Sequence, residues 1–303
     1  MKILLAGATG FIGKSLVAAL LKNGHEIILL TRHPEKVSLQ NGLTPVAWDG
    51  KHAGEWAAEA QGAAAVINLA GEGIADKRWS KERKKALTDS RIFSTRALAA
   101  FIKNSPKKPA VFINASAVGY YGNVPSGEVP ENFKKGGGFL ADLCDQWESA
   151  ARTVESAGVR TVMLRLGIVL EKGGGALAKM LFPFQIFAGG PLGSGQQWFP
   201  WVHREDVVGA ILFALENPNL SGPVNITAPN PVMIKEFCAE LGKVLHRPSW
   251  APVPAFALKI ILGEMSEMLL GGQKAVPQKL TVAGYRFKYP NLQNALRSIF
   301  PRL

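Results

Sequence analysis

The first thirteen residues constrain this chain more than any other stretch. Lys2 to Ala6 is a short apolar run of the kind that forms a strand buried on both faces. Gly7-Ala8-Thr9-Gly10-Phe11-Ile12-Gly13 follows without a linker, and an apolar helix opens inside it at Ile12 and runs to Leu21. Each glycine answers a steric demand. Gly7 permits the tight turn off the strand, Gly10 lets the backbone approach a pyrophosphate, and Gly13 lets the helix lie close to the strand. The helix N-terminus presents unpaired N–H groups and the positive end of its dipole to phosphate. This order predicts a dinucleotide-binding unit whose phosphate site is built from Gly7, Thr9, Gly10, Phe11, Ile12 and Gly13.

The tip of the next strand, His25 to Thr31, discriminates between cofactors. An NAD site places a carboxylate there for the ribose 2′-hydroxyl. This chain has Thr31-Arg32, with Lys36 one turn on. A guanidinium pairs with a 2′-phosphate that a carboxylate would repel, so Thr31 and Arg32 predict NADP. A third strand, Thr44 to Trp48, ends at Asp49, which either accepts from the adenine amino group or caps the next turn.

Strand and helix then alternate. A short helix spans Glu55 to Gln61. Ala64 to Leu69 is a fourth strand, followed by Ala70-Gly71. Ser80 caps a long helix that runs toward Lys103 and is stopped by Pro106 and Pro109. Val111 to Ala115 is a fifth strand, Phe139 to Ala157 a helix, and Arg160 to Arg165 a sixth strand. The alternation predicts an α/β fold with a doubly wound parallel sheet. Leu69, Ala70, Gly71, Ala115, Leu166 and Gly167 fall at strand carboxyl ends, where a dinucleotide lies. Residues 123–138 read as an irregular loop rich in Gly, Pro and Lys.

Past Gly167 glycine clusters break the pattern, which divides the chain into residues 1–166, a dinucleotide-binding lobe, and 167–303, a smaller substrate lobe. A strand at 224–227 returns to the main sheet, and apolar helices span 234–245 and 256–270. The glycines and tryptophans from Gly189 to His203 predict a hinged segment closing over the cofactor. Gln197, Trp201 and Lys274 are the candidates on the substrate side.

Composition narrows the partners. The net charge is +12, but no aromatic residues are interleaved with the basic ones as a nucleic-acid surface would require. The basic run 77–85 reads as a solvated helix face. No run approaches the ~18 apolar residues of a membrane span, and the N-terminus reads as a strand instead of a leader, so a cytoplasmic location is expected. Two cysteines make no disulfide framework, and no histidine spacing suggests a metal. The expected ligand is a small molecule of unknown identity, and the oligomeric state is open.

GATGFIG, VINLAG, SAVGYYG, LRLGIVL, WVHREDVVGAI and GPVNITAP, in that order, resemble an extended short-chain dehydrogenase/reductase. INLAGEGIADKRWS, LCDQWE, GGPLGSGQQWFPWVH and the tail GGQKAVPQKL–AGYRFKYP resemble, more narrowly, the atypical "epimerase family" group of the YfcH type. In that group a domain of unknown function forms the C-terminus, here 249–298. The resemblance implies a Rossmann-type NADP lobe and a C-terminal substrate lobe. It also implies a Ser that holds the substrate oxygen, a Tyr that transfers the proton, and a Lys four residues later that lowers the Tyr pKa. Ser116 matches the Ser. Aligned on Glu148, Leu140 stands at the Tyr position and Cys144 at the Lys position, so the usual proton chemistry is expected to be absent or slow. Tyr120 and Tyr121, just past Ser116, either face the substrate or pack the loop. Two readings follow. One is an NADP-dependent oxidoreductase or epimerase-like enzyme. The other is a non-catalytic NADP-sensing regulator, for which the resemblance suggests a link to cell division.

Overall fold

The computed structural model describes residues 1–301. Seven strands form one parallel sheet: β1 (Lys2–Ala6), β2 (Glu26–Thr31), β3 (Leu43–Ala47), β4 (Ala65–Asn68), β5 (Val111–Ala117), β6 (Arg160–Leu166) and β7 (Gly222–Ile226). Their order is β7-β6-β5-β4-β1-β2-β3. The chain runs outward one way through β2 and β3, then the other way through β4 to β7. The reversal lies between β1 and β4, and the crevice outside their carboxyl ends is where such sheets bind ligands.

Both faces of the sheet are covered. Within β1, Ile3 and Leu5 enter one apolar cluster and Leu4 and Ala6 the opposite one, the alternation that a strand imposes. The first face packs on α1 (Gly13–Lys22); the second carries the helices α2 (Lys81–Asn104) and α3 (Phe139–Arg152). The predicted cap of α2 is formed, with Ser80 Oγ accepting from the Arg83 amide at 3.1 Å. The α-helix α3 ends earlier than the predicted Ala157: it stops at Arg152, and a 3₁₀ turn, Glu155–Ala157, follows before Gly158.

The second lobe packs α4 (Gly175–Gln185), α6 (Ile234–Leu245) and α7 (Leu292–Ile299) around Trp201, Phe199, Phe184 and Phe237. The helix between α4 and α6, α5 (Arg204–Glu216), belongs elsewhere. Its Val207, Ala210 and Ile211 join the first face of the main sheet, and β7 pairs with β6 in register Val224–Leu164. Residues 204–226 thus complete the first lobe, and the division at 166/167 is crossed by the sheet itself.

Two further expectations change. The stretch 123–138 contains a strand, Val124–Val129, which pairs in parallel with Gln273–Ala275. The helix predicted across 256–270 is broken at Gly263, whose φ of +59° leaves the helical region.

Candidate functional site

The glycine loop is built as its sequence requires. Gly7 has φ +79°, and a Cβ there would strike the Leu69 carbonyl at the end of β4. A Cβ on Gly13 would strike the backbone of Gly7 and Ala8, so α1 approaches β1 as closely as a side-chain-free position allows. At Gly10 the one non-adjacent atom within 4 Å of such a Cβ, among the described residues, is the Gly7 carbonyl oxygen, 3.2 Å away. The space there is clear on the ligand side. Among the described residues no side chain caps α1; the Lys14 amide bonds the Gly10 carbonyl at 3.1 Å, and the other N–H groups of the first turn can meet an anion. The Phe11 ring packs against Gly174, where a Cβ would come within 2.7 Å of it. The cofactor loop and the second lobe therefore share one aromatic contact.

At the tip of β2, Arg32 is exposed and enters no ion pair among the described residues; Thr31 Oγ1 accepts from the His33 amide at 3.2 Å. Asp49 caps a turn. Its Oδ1 accepts from the Lys51 and His52 amides at 2.8 and 3.0 Å, and its carboxyl pKa is pulled down to about 2 by these bonds and the His52 ring. Asp49 thus takes the turn-capping role, with its side chain still half-exposed. At the other strand ends, Asn68 Oδ1 holds the Ala70 amide at 3.1 Å. Gly167 is fixed by its N–H to the Ile226 carbonyl at 3.0 Å, and a Cβ on it would meet the Pro200 carbonyl. Ala115 is buried, and Leu69, Leu166 and Gly71 border the same edge.

Beyond the phosphate loop the polar groups are occupied with one another. Ser116 Oγ donates to Glu148 Oε1 at 2.8 Å, both residues being buried. Arg165 forms a fork on that carboxylate, Nε to Oε1 at 2.8 Å and Nη2 to Oε2 at 2.9 Å. Its Nη1 donates to Tyr121 Oη at 2.9 Å, and the Tyr121 hydroxyl donates to Asn225 Oδ1 at 2.6 Å. Burial pushes the Tyr121 hydroxyl up to about 12 despite the adjacent guanidinium. The Tyr121 hydroxyl is thus bonded into the core on both sides. Tyr120 differs: it is half-buried, the Arg165 guanidinium lies 3.6 Å from its ring centroid, and its hydroxyl has no partner among the described residues. Leu140 and Cys144 lie on α3 against Gly119, and burial pushes the Cys144 thiol up to about 11.

The three substrate-side candidates do not converge. Trp201 is fully buried, with its indole N–H on the Asn230 carbonyl at 3.2 Å, so it cannot line a ligand surface. Gln197 Nε2 donates to the Leu192 and Leu269 carbonyls at 2.9 and 2.6 Å, bracing the loop. Lys274 pairs with Glu128 at 3.0 Å and lies over the Trp198 ring. The segment from Gly189 to His203 is tied in as well. Trp198–Phe199 pairs with Val232–Met233, Trp201–His203 with Ile168–Leu170, and the Gly193 amide bonds the Val253 carbonyl at 2.9 Å. A free flap has no such ladder.

Residues 3–227 match the NAD dependent epimerase/dehydratase family, and residues 253–299 match a domain of unknown function, DUF1731. The chain belongs to the NAD dependent epimerase/dehydratase family. It is 46% identical over 304 residues to the "epimerase family protein SDR39U1 homolog, chloroplastic" of Arabidopsis thaliana, covering 99% of this chain and 86% of that protein. It is 39% identical to the epimerase family protein YfhF of Bacillus subtilis, covering 99% and 98%. The crystal structure of human epimerase family protein SDR39U1 with NADPH superposes with a TM-score of 0.90 at 35% identity, covering 100% of both chains. The UDP-glucuronic acid 4-epimerase of Bacillus cereus, at 20% identity and TM-score 0.80, shares the fold.

In this family member the basic run 77–85 is only partly a solvated face. Arg83 bonds Glu72 and the Gly73 carbonyl and so braces the loop after β4, while Lys84 pairs with Glu264 of the 263–266 turn at 2.8 Å. Sequence reasoning passed over Arg91, further along α2, whose guanidinium faces that loop and not solvent. It also passed over Arg165, Glu148 and Asn225 as a network. A buried-strand Arg with a Glu on the facing helix was the available signal. Among the described residues no group of His, Cys, Asp or Glu could hold a metal ion, and no helix is long and apolar enough to cross a membrane.

Proposed function

We propose that this chain binds NADP(H) along the carboxyl edge of its sheet and acts as an oxidoreductase of the extended short-chain dehydrogenase class on a small-molecule carbonyl or alcohol. The reading is carried by the cradle at Gly10 together with the unpaired Arg32 at the β2 tip, where an NAD site has a carboxylate. The NADPH in the human relative's structure supports it. Gly7 to Gly13 hold the pyrophosphate and Arg32 the 2′-phosphate, and Ala70, Gly71 and Ala115 leave room for the nicotinamide half. The cofactor supplies hydride chemistry. Proton handling falls to a group other than the usual Tyr and Lys, and Tyr120 is the phenol left free to provide it. Calorimetry with NADP⁺ and NAD⁺ tests the cofactor; oxidation of NADPH with a panel of small carbonyls tests the reaction. Binding of NADP⁺ no tighter than NAD⁺ overturns the reading.

A second reading, a non-catalytic NADP sensor, is favoured by one observation: Ser116 and Tyr121 are both bound into the core network, and Leu140 and Cys144 carry no proton-transfer group. NADP binding without turnover on any carbonyl, and without loss of function in Tyr120→Phe, selects it.

A further inference from the structure

We propose that Arg91 supplies the cation missing from position 144 and grips the nicotinamide mononucleotide half of NADP; this rests on the NADP reading above. Three observations place it. Arg91 Nη2 donates to the Glu72 carbonyl at 2.9 Å and Nη1 to the Leu87 carbonyl at 3.0 Å, and its guanidinium packs on the position that a Gly71 Cβ would occupy, 3.2 Å from Cζ. It therefore stands at the carboxyl end of β4, on the side of the switch point away from the Arg32 end. Its Cζ also lies 5.1 Å from the Trp147 ring centroid. Trp147 is three residues from Cys144 on α3 and shares its helix face. The cation on α2 thus lies beside the face of α3 that carries position 144. Finally, Arg91 is half-buried and forms no ion pair among the described residues.

The chemistry of the group suits the task. Two backbone carbonyls take one donor each from Nη1 and Nη2, which fixes the fork and leaves three of the five guanidinium N–H groups for a ligand. A half-buried cation without a carboxylate partner is costly until an acceptor arrives. Burial lowers the Arg91 pKa more than the nearby Cys144 and Glu72 restore it, consistent with a charge short of partners. The ribose hydroxyls and phosphate of the nicotinamide half are such acceptors. Moving the cation from α3 to α2 keeps the grip on the cofactor. It also leaves position 144 free for a buried thiol, with no phenol beside it to activate.

The test compares two ligands on the full chain by calorimetry: NADP⁺, and adenosine 2′,5′-bisphosphate, which lacks the nicotinamide half. Arg91→Ala is expected to weaken NADP⁺ about 10- to 100-fold, the range of one or two lost charge-assisted bonds, and to leave the bisphosphate unchanged. Arg91→Lys should fall between Arg91→Ala and the wild type. Adding Cys144→Lys to Arg91→Ala should recover part of the loss, which a merely collapsed β4 loop would not allow. If a folded Arg91→Ala protein binds both ligands as the wild type does, or loses both equally, the proposal is overturned. If the double variant does not fold, the two-ligand comparison on Arg91→Ala decides alone. A wild-type chain that binds neither ligand overturns the NADP reading instead, so the two failures are distinct.

Discussion

The two halves of the sheet's carboxyl edge handle polar groups in opposite ways. Around β1 and β2 they are left open. Among the described residues the first N–H groups of α1 have no side-chain cap, the space at Gly10 is clear, and Arg32 has no ion-pair partner. Around β5 and β6 they are closed on one another: Ser116, Glu148, Arg165, Tyr121 and Asn225 form one continuous hydrogen-bonded chain inside the protein. An open set of donors is a binding site awaiting an anion. A closed set stabilises the fold and fixes its neighbours, but has little left to offer a substrate. The edge at β1 and β2 is open, and the edge that holds Ser116 and Tyr121 is bonded within itself.

The largest effect tests the open half. Gly10→Val fills the cradle, and a folded variant should show no measurable NADP⁺ binding by calorimetry. Retained affinity would remove the pyrophosphate from this loop. Next, Arg165→Ala strips the cation from the buried Glu148. Uncompensated buried charge of this kind costs about 3–5 kcal/mol, read as a fall in the urea midpoint; Arg152, 3.2 Å from Glu148 Oε2, moderates it. A loss below 1 kcal/mol would mean that the network is not holding the core. Arg32→Glu returns the test to the open half. It should abolish the preference for NADP⁺ over NAD⁺, a change of about 1.5–3 kcal/mol, with no change in melting temperature. Tyr121→Phe removes one hydroxyl from the closed half and should cost about 1–3 kcal/mol of stability by leaving Asn225 and Arg165 each short of a partner. Cofactor affinity should stay the same. A loss of turnover without a loss of stability would return Tyr121 to the chemistry.

The same contrast explains what could be read from the sequence. The glycine loop, the basic β2 tip and the strand–helix alternation are local: each turn's steric demand is met within a few residues, so the residue types state it. The closed network is assembled from segments far apart in the chain, such as Tyr121 meeting Asn225. No window of sequence contains both. The strand at Val124–Val129 was hidden for the same reason, because its partner is Gln273–Ala275 and its own Gly and Pro content suggests a loop. Trp201 and Gln197 were misplaced because a tryptophan-rich, glycine-rich stretch looks the same whether it lines a pocket or, as here, fills a second core. Asp49 was legible in both its roles, and the structure shows the turn-capping one.

The Phe11 ring beneath Gly174 has a thermodynamic consequence. One side chain of the nucleotide loop is packed by the lobe that begins at Gly167, so an anion that rigidifies the loop also fixes where that lobe rests. Linkage makes this reciprocal: a small molecule that ties down the second lobe must tighten NADP by the factor with which NADP tightens it. A ligand can therefore be sought without knowing its reaction, by screening for compounds that raise the affinity of the chain for its cofactor. Phe11→Ala should weaken that coupling more than it weakens either binding event alone.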